Sequence, residues 1–252
     1  MITRSQLREI HGKELPLHIL EQDYIQSLFL NELYGEDDSL VFKGGTYLKH
    51  AYGLDRFSEH LDFTVYDEVD LEKVMEEVSD SLMSYGVEAT VDKVEDEDIS
   101  FNARLRYRGP LFTGSERSMG SIDIEISKRD DILLEPEWTR LFFEYPESRV
   151  LSVLALRKEE VLAEKLRALS SRSKGRDLYD IWFLLKQGTP LKKGLFLDKM
   201  EVVGAGSEVS MSVSKEGWER DLEVLLVNPP GYEDVKKEVV RTLSEHGFDV
   251  RT

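Results

Sequence analysis

Two short runs carry acids and a histidine at spacings that suit metal chemistry. In SEHLDFT, His60 and Asp62 fall on one side of an extended chain while Leu61 and Phe63 fall on the other, because side chains alternate along a strand. In SIDIEIS the same rule separates Asp123 and Glu125 from Ile122, Ile124 and Ile126. If these two strands are sheet neighbours, His60, Asp62 and one of Asp123 or Glu125 converge on a divalent cation. Oxygen-rich ligands of this kind suit magnesium, which keeps waters and takes nucleotide phosphates as further ligands. The alternative is a set of acids on the wetted face of an antiparallel sheet. Just upstream, Gly44, Gly45 and Thr46 form a glycine turn whose backbone N–H groups, at a helix start, can cradle phosphate. A glycine pair of this kind also serves as a plain turn, and Thr46 either caps the helix or meets a phosphate oxygen.

A third group lies in LALRKEEVLAEKLRALSSRSKGRDLYDIWFLL. Between Arg157 and Arg176 it holds seven basic residues against three acids, inside a chain of net charge −17. Lys165 stands four residues after Val161 and four before Leu169, so it rides the apolar stripe of a helix. A lysine there needs an anionic partner. Either a phosphate or an acid such as Asp177 or Asp180, which share one helix face, supplies it.

The elements that must position these groups follow from periodicity. Ile25, Leu28, Phe29 and Leu33 predict a helix from Leu20 to Tyr34 stopped by Gly35, and a strand from Ser39 to Phe42 leads into the glycine turn. Leu71, Val74, Met75, Val78 and Leu82 predict an amphipathic helix capped by Asp70 and ended by Gly86. Strands are expected from Val87, Phe101 and Ser121, with Gly109 and Pro110 as a breaker. Beyond Arg157 the pattern is helical: Arg157 to Ser171, Leu178 to Lys186, Glu216 to Leu226 and Tyr232 to Glu245. We expect an α/β domain over 1–150 and a helical domain over 151–252.

Composition bounds the chemistry. The chain has 252 residues, 40% of them hydrophobic, enough for a substantial core. It has no cysteine, which excludes disulfides, thiolate metal sites and cysteine nucleophiles and suits a reducing compartment. No leader-like apolar stretch opens it and no run is long enough to span a membrane, so a cytoplasmic protein without a membrane partner is expected. The strong negative charge works against broad attraction to nucleic acid, so an anionic ligand must meet a local basic patch.

FKGGTYLKHAYGLDRFSEHLDF, then YRGPL at Tyr107 to Leu111, IDIEIS, and the long basic helix ending in RDLYDIWFLL together resemble the AbiEii/AbiGii toxin family of nucleotidyltransferases, a branch of the DNA polymerase β-like superfamily. The resemblance covers roughly residues 15 to 245 and keeps the family's motif order. It implies an α+β fold with a polymerase β-like core, a mixed sheet with flanking helices, followed by a helical domain that completes the nucleotide site. The implied activity is transfer of a nucleoside monophosphate from a nucleoside triphosphate to an acceptor, a tRNA end in some relatives, with magnesium or manganese as cofactor and an antitoxin as partner.

Residue by residue, the resemblance assigns nucleotide binding to Lys43, Gly44, Gly45, Thr46, Arg56 and Ser58, and to Lys165, Arg176, Asp177 and Asp180. It assigns catalysis to Asp62, to Glu125 or Asp123, and to Lys165. Metal binding goes to Asp62, His60 and Glu125. Here His60 replaces the first acid of the family's DxD strand motif, and a neutral, softer imidazole weakens a magnesium site while suiting manganese or zinc. Two readings follow: an active enzyme with a substituted ligand, or a lapsed one that acts by binding nucleotide, RNA or antitoxin.

Overall fold

The computed structural model describes every residue except Lys13, Asp37, Asp130 and Arg149, apart from the side chains of Glu36 and Lys93. The chain divides into two units, Met1–Asp130 with Pro136–Ala155, and Asp131–Glu135 with Leu156–Thr252.

The first unit carries α1 (Arg4–His11), α2 (Leu17–Glu36), β1 (Leu40–Lys43), α3 (Gly44–Tyr52), β2 (His60–Val65), α4 (Leu71–Ser81), β3 (Glu88–Asp96), β4 (Ser100–Arg108), β5 (Gly120–Ser127), β6 (Glu137–Phe142) and β7 (Val150–Ala155). Its strands form one sheet in the order β3-β4-β5-β2-β1-β7-β6. The sheet is mixed: β2 pairs with β5, and β1 with β7, in parallel, and the other pairs are antiparallel. The core sits on the faces that alternation predicts, with Leu61, Phe63, Ile122, Ile124 and Ile126 all buried. β1 is buried at all four positions, as a short strand inside a sheet must be.

Helix α4 starts at the expected Asp70, whose side chain accepts from the Lys73 N–H. Helix α2 differs from expectation: it runs through Gly35 to Glu36, because one glycine in a final turn costs only about 1 kcal/mol and the helix is buried over most of its length. β6 and β7 were not foreseen, and β7 belongs with the sheet, so the first unit ends at Ala155.

The second unit holds α5 (Lys158–Arg172), α6 (Gly175–Lys186), α7 (Lys193–Val202), β8 (Val209–Ser210), α8 (Lys215–Leu222), α9 (Tyr232–Glu245) and β9 (Val250–Arg251), with β8 and β9 paired in parallel. Residues 131–135 join it because the Glu160 carboxylate accepts the Leu133 and Leu134 N–H groups, each at 2.8 Å. The ammonium of buried Lys199 meets Glu160 at 2.7 Å and Glu164 at 3.2 Å. Among the described residues no helix is long and apolar enough to cross a membrane.

Candidate active site

β1 runs into α3 with no intervening loop. Lys43 is the N-cap, its side chain makes no capping bond, and the first residue of the helix, Gly44, sits at φ +81°. Such a conformation costs an L-residue about 1–2 kcal/mol. Space imposes a second demand: a Cβ on Gly44 would lie 2.0 Å from Asp62 Oδ2. The Asp62 carboxylate therefore rests against the opening residue of α3, where the helix dipole favours negative charge. β1 and β2 enforce this approach by pairing Lys43 with Asp62. Gly45 has its own neighbours, since a Cβ there would stand 2.6 Å from a guanidinium nitrogen of buried Arg56 and 2.8 Å from Ser58 Oγ.

Gly44→Ala tests the close approach. We expect a stability loss of about 2 kcal/mol in urea titration, combining the conformational cost with the clash. Gly53→Ala is the comparison, because Gly53 has φ +74° but nothing within 4 Å of a Cβ, and it should cost about 1 kcal/mol. Equal losses would mean that Asp62 moves aside freely.

The register of β2 and β5 answers how the acids meet. His60 pairs with Asp123, and Asp62 with Glu125. The side chains then separate the two candidates on β5. His60 Nδ1 stands 3.2 Å from Glu125 Oε1, whereas Asp123 receives a bidentate hydrogen bond from Arg104 at 2.6 and 3.1 Å. Glu125 is the β5 acid that joins His60, and Asp123 is held by a guanidinium on β4. Among the described residues no group of three or more His, Asp or Glu side chains stands at metal-binding spacing.

Thr46 is fully buried, and its hydroxyl donates to the His60 carbonyl at 2.6 Å, tying α3 to β2 rather than making either contact the sequence offered, a helix cap or a phosphate oxygen. The segment before β2 is held from α2: Gln26 Nε2 donates to the Ser58 carbonyl at 3.1 Å, and Gln22 Nε2 to the carbonyls of Glu59 and Ser121 at 2.8 and 3.1 Å. Arg56 is anchored by its bond to the Phe57 carbonyl at 2.8 Å. Neither Gln22 nor Gln26, nor Arg104, is singled out by the sequence; for the two glutamines of α2 the signal is a polar residue inside an apolar helical run, and Arg104 is an ordinary exposed strand position.

In the helical unit, Lys165 has acidic partners: its ammonium lies 2.8 Å from Asp180 and 3.4 Å from Asp177. Both carboxylates are fully buried. Arg172 adds a bidentate bond to Asp177 at 2.7 and 2.9 Å. Burial on its own would raise the Asp177 pKa, but the positive charges of Lys165, Arg172 and Arg176 outweigh it and hold the carboxyl at about 2.

A mixed sheet with a glycine-opened helix beside a carboxylate strand, followed by a helical unit, defines a nucleotidyltransferase core of the polymerase β-like type. The model of the nucleotidyltransferase toxin family AbiEii, of type IV toxin–antitoxin systems, matches residues 28–250, and the chain belongs to that family. Among solved structures it is similar to MenT4, a nucleotidyltransferase toxin from Mycobacterium tuberculosis H37Rv, with a TM-score of 0.72 at 21% identity over 96% of this chain and 88% of that one. It is also similar to JHP933 from Helicobacter pylori, with a TM-score of 0.56 at 20% identity over 92% of this chain and 96% of that one. At these identities the likeness is one of fold. No curated protein sequence matches the chain.

Proposed function

We propose that the chain is an active, metal-dependent nucleotidyltransferase that moves a nucleoside monophosphate from a nucleoside triphosphate to an acceptor, an RNA such as tRNA, and that it works as the toxin of a toxin–antitoxin pair with an antitoxin as partner. The observation that carries this reading is the β2–β5 register, which sets Asp62 opposite Glu125 with His60 reaching Glu125, beside the α3 start at Gly44. The donor set fits a divalent cation, because magnesium needs only one or two carboxylates besides waters and phosphate oxygens. Asp62 and Glu125 would hold it, with His60 as a further ligand; when bound, such a cation offsets charge developing on the phosphates. The chain's own contribution is positional. The N–H groups at the start of α3 bind phosphate oxygens, and Gly45, having no side chain, lets buried Arg56 and Ser58 come up against the helix start, where Arg56 adds positive charge. Lys43 and Ser58 flank this cradle. In the helical unit, Lys165 and Arg176 are the proposed nucleotide contacts, oriented by Asp177 and Asp180.

The His60→Asp variant tests the reading. We expect it to raise magnesium-supported pyrophosphate release relative to manganese, since a carboxylate suits the harder cation. A binding-only protein is favoured instead by His60, Asp62 and Glu125 not standing together at metal-binding spacing among the described residues. Absence of pyrophosphate release from both proteins in both metals would establish that reading, and a large loss in the variant would give His60 a task of its own.

A further inference from the structure

The far end of α3 borders a cavity of about 440 Å³ that the proposed chemistry does not use. Its lining is mixed, with Leu54, Phe57, Phe142 and Phe143 on the apolar side. Beneath them lies a buried polar network. Tyr145 donates to Asp23 Oδ2 at 2.6 Å, so its oxygen accepts from His11 Nε2 at 2.8 Å. Lys49 Nζ and His50 Nε2 each stand 3.2 Å from Asp23 Oδ1, and His50 Nδ1 donates to the Phe142 carbonyl at 3.2 Å. Lys49 also lies over the Phe57 ring, 4.3 Å from its centroid.

The charge pattern selects the ligand. Inside, the Asp23 carboxylate and the Lys49 ammonium cancel, and burial, opposed by Asp23, keeps both imidazoles below their usual pKa. Two further acids line the cavity, Asp55 and Glu144, and the Glu144 side chain is 68% exposed. An anion such as a nucleotide meets these carboxylates, and an inorganic cation meets the Lys49 ammonium that lines the same cavity. Phe57 and Phe143 are buried, with Lys49 and His50 against their rings, whereas Phe142 is 59% exposed and offers a ring for stacking. An ammonium has three donors and Asp23 takes one, while Glu144 and His11 supply acceptors, so both hydrogen-bonding senses are present. The volume lies within the range of small-molecule pockets.

We propose that this cavity is a second ligand site, for an uncharged, planar, hydrogen-bonding heteroaromatic of the nucleobase or nucleoside class. It lies wholly in the sheet unit and is independent of whether transfer occurs.

Calorimetric titration of the full chain with adenosine, guanosine, cytidine and uridine tests it, each repeated with excess ATP. At least one nucleoside should bind, should persist in ATP, and should be lost in Ala51→Trp, which fills the cavity from the half-exposed last turn of α3. Phe142→Ala should weaken binding about tenfold. Phe142 is 59% exposed, so this variant folds even if Ala51→Trp does not. No binding by any nucleoside overturns the proposal. Binding displaced by ATP and unmoved by both variants also overturns it, because the ligand then occupies the candidate active site. Uptake of inorganic phosphate that the Ala51→Trp variant abolishes would overturn the assigned chemical class. An enzyme inactive in transfer that still binds nucleoside here leaves this site standing and removes only the catalytic reading.

Discussion

Asp62→Asn should reduce nucleotide transfer about a hundredfold or more, roughly 3 kcal/mol of barrier, with little change in melting temperature. The separation follows from where β2 puts its side chains. Leu61 and Phe63 are fully buried and carry the packing, while Asp62 is only partly buried and leans on Gly44. Asparagine keeps the volume that fits against Gly44 and removes only the charge. What is lost is then the carboxylate's hold on a cation and its field at the α3 terminus. Glu125→Gln should cost less, because the Glu125 side chain is 51% exposed and such groups interact through a more screened medium. Pyrophosphate release and thermal melting, measured on the same preparations, check both. Retained activity with a lowered melting temperature would make Asp62 a structural acid.

The legible part of this site was the part written in local periods. Alternation separated His60 and Asp62 from Leu61 and Phe63, and it separated the β5 acids from three isoleucines, without any knowledge of the sheet. That β2 and β5 are parallel neighbours was not local information. It is set by a strand order that brings β5 beside β2 after β3 and β4, and β7 beside β1 after five intervening strands, and no short-range period encodes such crossings. The choice between Asp123 and Glu125 was hidden for the same reason, because it depends on Arg104 arriving from β4. β6 and β7 were missed where EWTRLF and VLSVLA flank the expected domain boundary. β6 is an edge strand with exposed Trp138 and Phe142, so its pattern reads weakly as a core element. The buried Asp23 network was invisible because its members come from α1, α2, α3 and the segment after β6. For Lys165 the sequence demanded an anionic partner and offered two kinds. The structure supplies the acidic kind: Ser173, at φ +48°, ends α5, and α6 then brings Asp177 and Asp180 to the lysine.

Asp177→Asn should destabilise the protein by about 3 kcal/mol in urea titration, the low end of what removing one partner of a buried ion pair costs. The low end applies because the remaining cations have outlets: Lys165 keeps Asp180 at 2.8 Å, and the Arg172 side chain is 44% exposed and turns to water. The same carboxylate makes a pH signature. Its pKa is held at about 2 in the folded protein and returns to about 3.9 when unfolded. A carboxyl whose folded pKa is depressed contributes stability above its unfolded pKa and loses it as pH falls through the folded one. This residue therefore supports the fold at neutral pH by roughly 2–3 kcal/mol and withdraws that support between about pH 4 and pH 2. Stability curves of the two proteins should converge over that window, because the asparagine variant has no such carboxyl to protonate. Measured against this, Lys165→Ala distinguishes the two partners the sequence allowed. A loss of stability with triphosphate affinity unchanged assigns Lys165 to the buried acids alone, whereas a folded variant that binds triphosphate about tenfold or more weakly, the size of a charge-assisted contact, assigns it to the nucleotide as well, with Asp177 and Asp180 as the groups that hold the ammonium in position.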